Sequence, residues 1–183
     1  MPSGRMSSPS VNHDTERVVN SLRRVVLALR TWAQETEGTS GLSGAQVFVL
    51  EKLAEEPGQS LTRVAERTMT SKAAVSVVIG KLVERGLVRR KPSSVDGRSV
   101  VLDITTAGGR ALKEAPGSPA GHVVAALRRL PRAELAELAR LFERLVGALG
   151  IAALEPRMMF EGKVADAPAE RRRRRTPVSK GQS

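Results

Sequence analysis

Residues 60–85 read SLTRVAERTMTSKAAVSVVIGKLVER, a short amphipathic run, a break at Met69-Thr70-Ser71 and a longer run. In the second run Val75, Val78, Ile79 and Leu82 fall at helical i, i+3, i+4, i+7 spacing, which gathers them on one buried stripe and turns Lys72, Ala73, Ser76, Gly80 and Lys81 outward. In the first, Leu61, Val64 and Ala65 form the inner face, with Thr62 and Arg63 outside. Ser71 is placed to cap the second helix. Two short helices about a tight turn are the outline of a helix-turn-helix. The outline alone is a weak signal, because plain helical packing produces it too.

The next stretch is of a different kind. Leu87–Lys91 and Ser99–Ile104 are β-prone, and Pro92-Ser93-Ser94-Val95-Asp96-Gly97-Arg98 between them is rich in turn formers. A hairpin with a basic tip directly after a helix-turn-helix makes a winged helix. The predicted fold class is therefore mainly α with one small β-hairpin.

Working outward, Val18, Leu22, Val25, Val26, Leu29, Trp32 and Ala33 repeat at helical spacing between Asp14 and Glu37, with Gly38 as the stop. Ser43-Gly44-Ala45-Gln46 matches a capping box, opening a helix that Pro57-Gly58 ends. Beyond the hairpin a short helix runs to Ala115, and Pro116, Gly117, Pro119 and Gly121 interrupt the chain. A helix from about His122 to Arg129 comes next. Pro131 then suits the first turn of a last helix in which Leu135, Leu138, Phe142, Leu145 and Leu149 alternate in steps of three and four. The winged helix is too small to cover both flanking helices. Self-association through Val18, Leu22 and Val25 with Leu135, Leu138, Phe142, Leu145 and Leu149 is the expected answer.

The expected organisation is a polar tail over 1–13, one folded unit over 14–155 and a basic tail over 156–183. The folded unit divides into dimerisation helices over 14–37 and 120–150 and a DNA-binding core over 43–105.

Composition narrows the function. Lys and Arg total 30 against 19 Asp and Glu, a net charge of +11, which favours a polyanionic partner. The five arginines 171–175 and Lys180 carry six of those charges, so 11 − 6 leaves +5 for the rest. There is no cysteine, so disulfides, thiolate metal sites and thiol redox sensing are excluded. Only His13 and His122 offer imidazoles, and neither sits in a Ser/His/Asp grouping; with no Gly-rich phosphate loop either, an enzyme finds no support and no cofactor or metal is expected. No apolar run is long enough for a membrane span and the N-terminus lacks a signal core, so no membrane contact and a cytoplasmic location are expected.

Gly86-Leu87-Val88-Arg89-Arg90, then Asp96-Gly97-Arg98-Ser99, then Ile104-Thr105-Thr106-Ala107-Gly108 resembles the wing signature of the MarR family of bacterial transcriptional regulators, and the order of parts matches from about Asp14 to Gly150. The resemblance implies homodimers whose paired terminal helices hold two winged helices on successive major grooves of a pseudo-palindromic double-stranded operator. It also implies repression of nearby genes, relieved by a small ligand or an oxidant. Lacking cysteine, this chain is left with the ligand, for which small aromatic acids are the expected class. Two departures stand out: Gly97 replaces one wing arginine, and Pro116 and Pro119 interrupt a helix that is usually continuous.

On that basis Thr70, Ser71, Lys72, Ala73 and Ser76 are the candidates for reading base edges. Thr62, Arg63, Lys81 and Arg85 are candidates for phosphate contact, and Arg89 and Arg90 on the wing are further DNA-binding candidates. Arg98 is placed to enter a minor groove, held extended by Asp96. The competing reading is a general nucleic-acid-binding or architectural protein that grips DNA with its basic body and the Arg171–Arg175 run.

Overall fold

The computed structural model describes residues 9–93, 99–154 and 157–161. In chain order the elements are α1 (Pro9–Ser40), α2 (Gly44–Glu55), α3 (Leu61–Thr68), α4 (Lys72–Glu84), β1 (Val88–Pro92), β2 (Val100–Ile104), α5 (Thr106–Glu114), α6 (Pro119–Leu127) and α7 (Arg132–Ala148).

The core is built round α2. Val47, Val49, Leu50 and Leu53 are wholly buried and Phe48 nearly so, leaving the helix without a polar face over most of its length, as a helix surrounded by others requires. Its neighbours are α1, α3, α4, α5, α6 and β2. The start of α2 is fixed by the expected capping box: Gln46 N donates to Ser43 Oγ at 3.3 Å and Ser43 N donates to Gln46 Oε1 at 3.0 Å.

Four boundaries differ from the sequence expectation. Helix α1 begins at Pro9, inside the stretch read as a polar tail, and runs through Gly38 to Ser40. One interior glycine costs about 1 kcal/mol, which a helix of 32 residues absorbs; the stop falls to Gly41 at φ +62°. Pro119 and Gly121 lie within α6 rather than breaking the chain, because Ser118 caps the helix by accepting from Gly121 N and Pro119 takes its first turn. Pro131 precedes α7 as its cap residue without a side-chain bond. The fourth difference is at the C-terminal end. Met158, in the stretch read as a basic tail, is 6% exposed within the core, and Ala45 N donates to the Phe160 carbonyl at 3.1 Å.

Thr36 ties α1 to the rest. It is fully buried, and its Oγ1 lies 2.7 Å from the Trp32 carbonyl and 2.8 Å from the Gly117 carbonyl, so its single proton is shared between them. Glu51 on α2 holds the same link from below, accepting from Ser118 N and Oγ at 2.9 and 2.7 Å. Further out, α1 leaves the core: Val18 and Val25 are 54% and 51% exposed. Helix α7 carries no buried residue at all.

Candidate nucleic-acid interface

Ser60 caps α3 by accepting from Arg63 N, and Ser71 caps α4 by accepting from Ala74 N at 3.2 Å. Between the helices Met69 takes the left-handed conformation at φ 53°, with its N–H bonded to the Glu66 carbonyl at 3.1 Å and Thr70 N to the Ala65 carbonyl at 3.0 Å. This conformation costs a side chain other than glycine about 1 kcal/mol. It turns the chain in three residues and presents the α4 N-terminus outward.

The buried stripe of α4 is Val75, Val78, Ile79 and Leu82, each at most 1% exposed. Lys72, Ala73, Ser76 and Lys81 lie on the opposite, exposed side with Ser71 at the N-terminus, and Thr70 is half-buried. The Ser71 hydroxyl accepts within the cap and keeps its proton to donate. Sequence reasoning missed Val77, which is 53% exposed on the same face. Its apolar character assigns it to no list of contacts, yet it lies outside the i, i+3, i+4 stripe, and that is the available signal.

Helix α3 is held against the end of α2 by Arg67, which bonds both Glu55 and Glu56. Burial alone raises the Glu55 pKa, but the hydrogen bond and charge of Lys52, with those of Arg67, more than offset it and hold the carboxyl below its ordinary value. Thr62 is exposed. Arg63 is exposed as well and lies 3.5 Å from both Glu56 and Glu66, loose surface pairs that a phosphate can displace.

The wing is an antiparallel pair in which Val88 faces Ile104, Arg89 faces Asp103 and Lys91 faces Val101. Gln59 adds a third edge, accepting at its carbonyl from Leu102 N at 2.8 Å. Ser93 N donates to the Ser99 carbonyl at 2.8 Å and closes the base of the tip. Asp96 and Arg98 lie beyond it, outside the described residues. Asp103 is the electrostatic centre of the hairpin: Lys91 Nζ is 2.6 Å away, Gly58 N donates at 2.9 Å and Arg89 Nε is 3.8 Å away. The Lys91 hydrogen bond is the main cause that holds the Asp103 carboxyl below its usual value, against partial burial. Arg89 is thus drawn toward Asp103, whereas Arg90, across from Leu102, is exposed.

Arg85 has a partner that the sequence does not suggest. Its Nη1 donates to the Gly41 carbonyl at 2.9 Å, which ties it to the end of α1, while the residue stays exposed as Lys81 does. Of the residues expected to dimerise, Phe142 and Leu149 are 48% and 61% exposed, and Leu22, Leu135, Leu138 and Leu145 are half-buried. Among the described residues no group of three or more His, Cys, Asp or Glu side chains is placed to hold a metal, and no helix is long and apolar enough to cross a membrane.

Comparison with known proteins places this geometry. The profile of the MarR family matches residues 40–99, which span α2 to the wing. An HTH-type transcriptional repressor of Mycobacterium tuberculosis is 28% identical over 124 residues, covering 68% of this chain and 89% of the relative. An uncharacterized HTH-type transcriptional regulator of Mycobacterium bovis is 26% identical over 118 residues, covering 64% of this chain and 82% of the relative. Among solved structures, a MepR-like protein crystallised with pseudoligands superposes with a TM-score of 0.51 at 24% identity, covering 73% of this chain and 94% of that one, which supports the fold. A capped α4 with an exposed polar and basic face and a wing against its end agree with the family match over residues 40–99: this segment is a winged helix-turn-helix similar to those of the MarR family, and the relatives it resembles are transcriptional regulators.

Proposed function

We propose that the protein is a homodimeric, sequence-specific DNA-binding repressor that a small aromatic ligand releases from a pseudo-palindromic operator. The observation that carries the reading is the outward face of α4: Lys72, Ala73, Ser76 and Lys81 are exposed along a helix whose other side is entirely buried. Small and hydroxyl-bearing side chains fit against base edges, and lysines at either end of the face suit the flanking phosphates. Thr62 and Arg63 on α3 and Arg90 on β1 extend the phosphate-contacting set.

Homodimerisation is supported by α7 and the outer part of α1. None of the seventeen residues of α7 is fully buried within the subunit, although Leu135, Leu138, Leu141, Phe142 and Leu145 are all apolar. A second copy presenting the same surface covers them by twofold symmetry. Repression follows the named activity of the mycobacterial relative. The ligand rests on the family resemblance, and the absence of cysteine leaves thiol oxidation no role.

The test is a gel shift of the full chain against DNA from upstream of its own gene and a scrambled duplex of equal length. Retarded native DNA with little effect on the scrambled duplex supports a regulator, and Arg98→Ala is expected to weaken that complex severely while leaving the dimer intact. Equal retardation of both duplexes, abolished by truncation after Glu161, identifies instead a general DNA coater working through the arginine run. Truncation belongs after Glu161 because Met158 and Phe160 pack on the core.

A further inference from the structure

Val77 and Gly80 are two neighbouring positions of α4 at which the chain departs from good helix-forming practice with no return inside the subunit. Valine and glycine are both poorer helix formers than alanine. Elsewhere on α4 the departure is explained, since Val75 and Val78 are buried in the core. Val77 has more than half its surface in solvent. At Gly80 an added Cβ meets nothing within 4 Å and the backbone is not in the left-handed region, so neither packing nor conformation calls for glycine. The two lie at i and i+3, on one face and one turn apart. Local rules are broken in this way where a surface has work outside its own subunit.

The pair has a shape. Val77 projects two methyl groups, and Gly80 leaves the next turn bare, so a partner can approach the helix closely just beyond the valine. In the major groove the one base edge that offers an apolar surface is thymine, through its C5-methyl group. Valine has no donor or acceptor, so it gains nothing from purine N7 or O6, and it would strip water from a cytosine amino group without replacing the lost bond. Ala73 lies one turn before Val77, about 6 Å along the axis, close to two base steps of about 3.4 Å, so the two side chains address different base pairs.

We propose that Val77 is a specificity-determining residue that reads the methyl group of one thymine in each half-site, with Gly80 giving the duplex the clearance it needs. This rests on the DNA-reading role of α4 proposed above.

The test is selection of bound duplexes from a random-sequence pool by the full chain and by Val77→Ala, each followed by sequencing. Alanine is a better helix former and fills an exposed position, so the variant is expected to fold at least as well. The expected result is a thymine repeated symmetrically in the wild-type consensus whose preference falls about fourfold in Val77→Ala, the value of one buried methyl group, while the other positions keep theirs. Replacing that thymine by uracil in the selected duplex is expected to weaken wild-type binding by a similar factor and leave the variant unaffected. An identical consensus for both proteins, or wild-type indifference to uracil, overturns the assignment of Val77. A wild-type selection that yields no consensus overturns the reading role of α4 itself, and the assignment falls with it.

Discussion

Lys91 reaches diagonally across the wing to Asp103, placing Nζ 2.6 Å from Oδ2, while the other carboxylate oxygen accepts from the backbone of Gly58 at 2.9 Å. One carboxylate thus joins both strands of the hairpin to the loop that enters α3.

That relationship fixes a pH dependence. The Asp103 pKa is lowered from an ordinary 3.8, chiefly by the Lys91 hydrogen bond. A lowered folded-state pKa means that the stabilisation is present above the unfolded value and is lost as pH falls through the folded one. Asp103→Asn is expected to cost about 1 kcal/mol at pH 7, allowing for solvent screening of a surface pair. In thermal melts the difference from wild type shrinks below pH 3.8. An equal loss at pH 7 and at pH 3 assigns the effect to packing instead.

Adjacent glycines in α5 are expected to respond with opposite signs. A Cβ on Gly108 would sit 2.1 Å from the Leu87 carbonyl oxygen and 2.8 Å from Ile104 Cγ1, whereas one on Gly109 meets nothing within 4 Å. Gly108→Ala therefore forces the wing away from α5 and is expected to lower stability by about 2–3 kcal/mol. Gly109→Ala is expected to raise it by up to about 1 kcal/mol. Denaturant midpoints of the two variants measure both; a destabilised Gly109→Ala would count against the placement of α5.

Met69 carries strain that glycine removes. At φ 53° and 65% exposure, its side chain contributes little packing to set against the left-handed backbone. Met69→Gly is expected to stabilise the fold by about 0.5–1 kcal/mol with DNA affinity unchanged. A loss of affinity without loss of stability would instead make the methionine a DNA contact.

The uncovered face of α7 gives a prediction about assembly. Phe142→Glu places a charge on the proposed twofold seam, and sedimentation of the variant at micromolar concentration is expected to report a monomer with native far-UV circular dichroism. Operator binding by the monomer is expected to fall at least tenfold. A variant that remains dimeric moves the seam elsewhere.

Local features are the legible ones. Ser43 and Gln46 form the expected box, Ser71 caps α4, and the four residues of its apolar stripe are buried as their spacing demands. These depend on neighbours within four residues, which a linear reading can see. A linear reading does not show that Arg85 also bonds Gly41 or that Arg89 lies beside Asp103, because those partners lie far off in sequence. The third edge of the wing at Gln59 is invisible for the same reason, since a single backbone bond to Leu102 leaves no pattern. Pro119 misleads because proline interrupts a helix and opens one equally well, and only the Ser118 cap decides which.

The docking of Phe160 onto Ala45 has a consequence for how the molecule is made. Helix α2 is the centre of the core, yet its first turn is completed by a residue from beyond the last helix, and Met158 is buried in the same core. A nascent chain that has delivered α2, α3, α4 and the wing still holds an open seam at Gly44, where Phe160 and Pro119 later close in. The helix cluster that carries α4 is therefore closed only once residues 158–161 have been made.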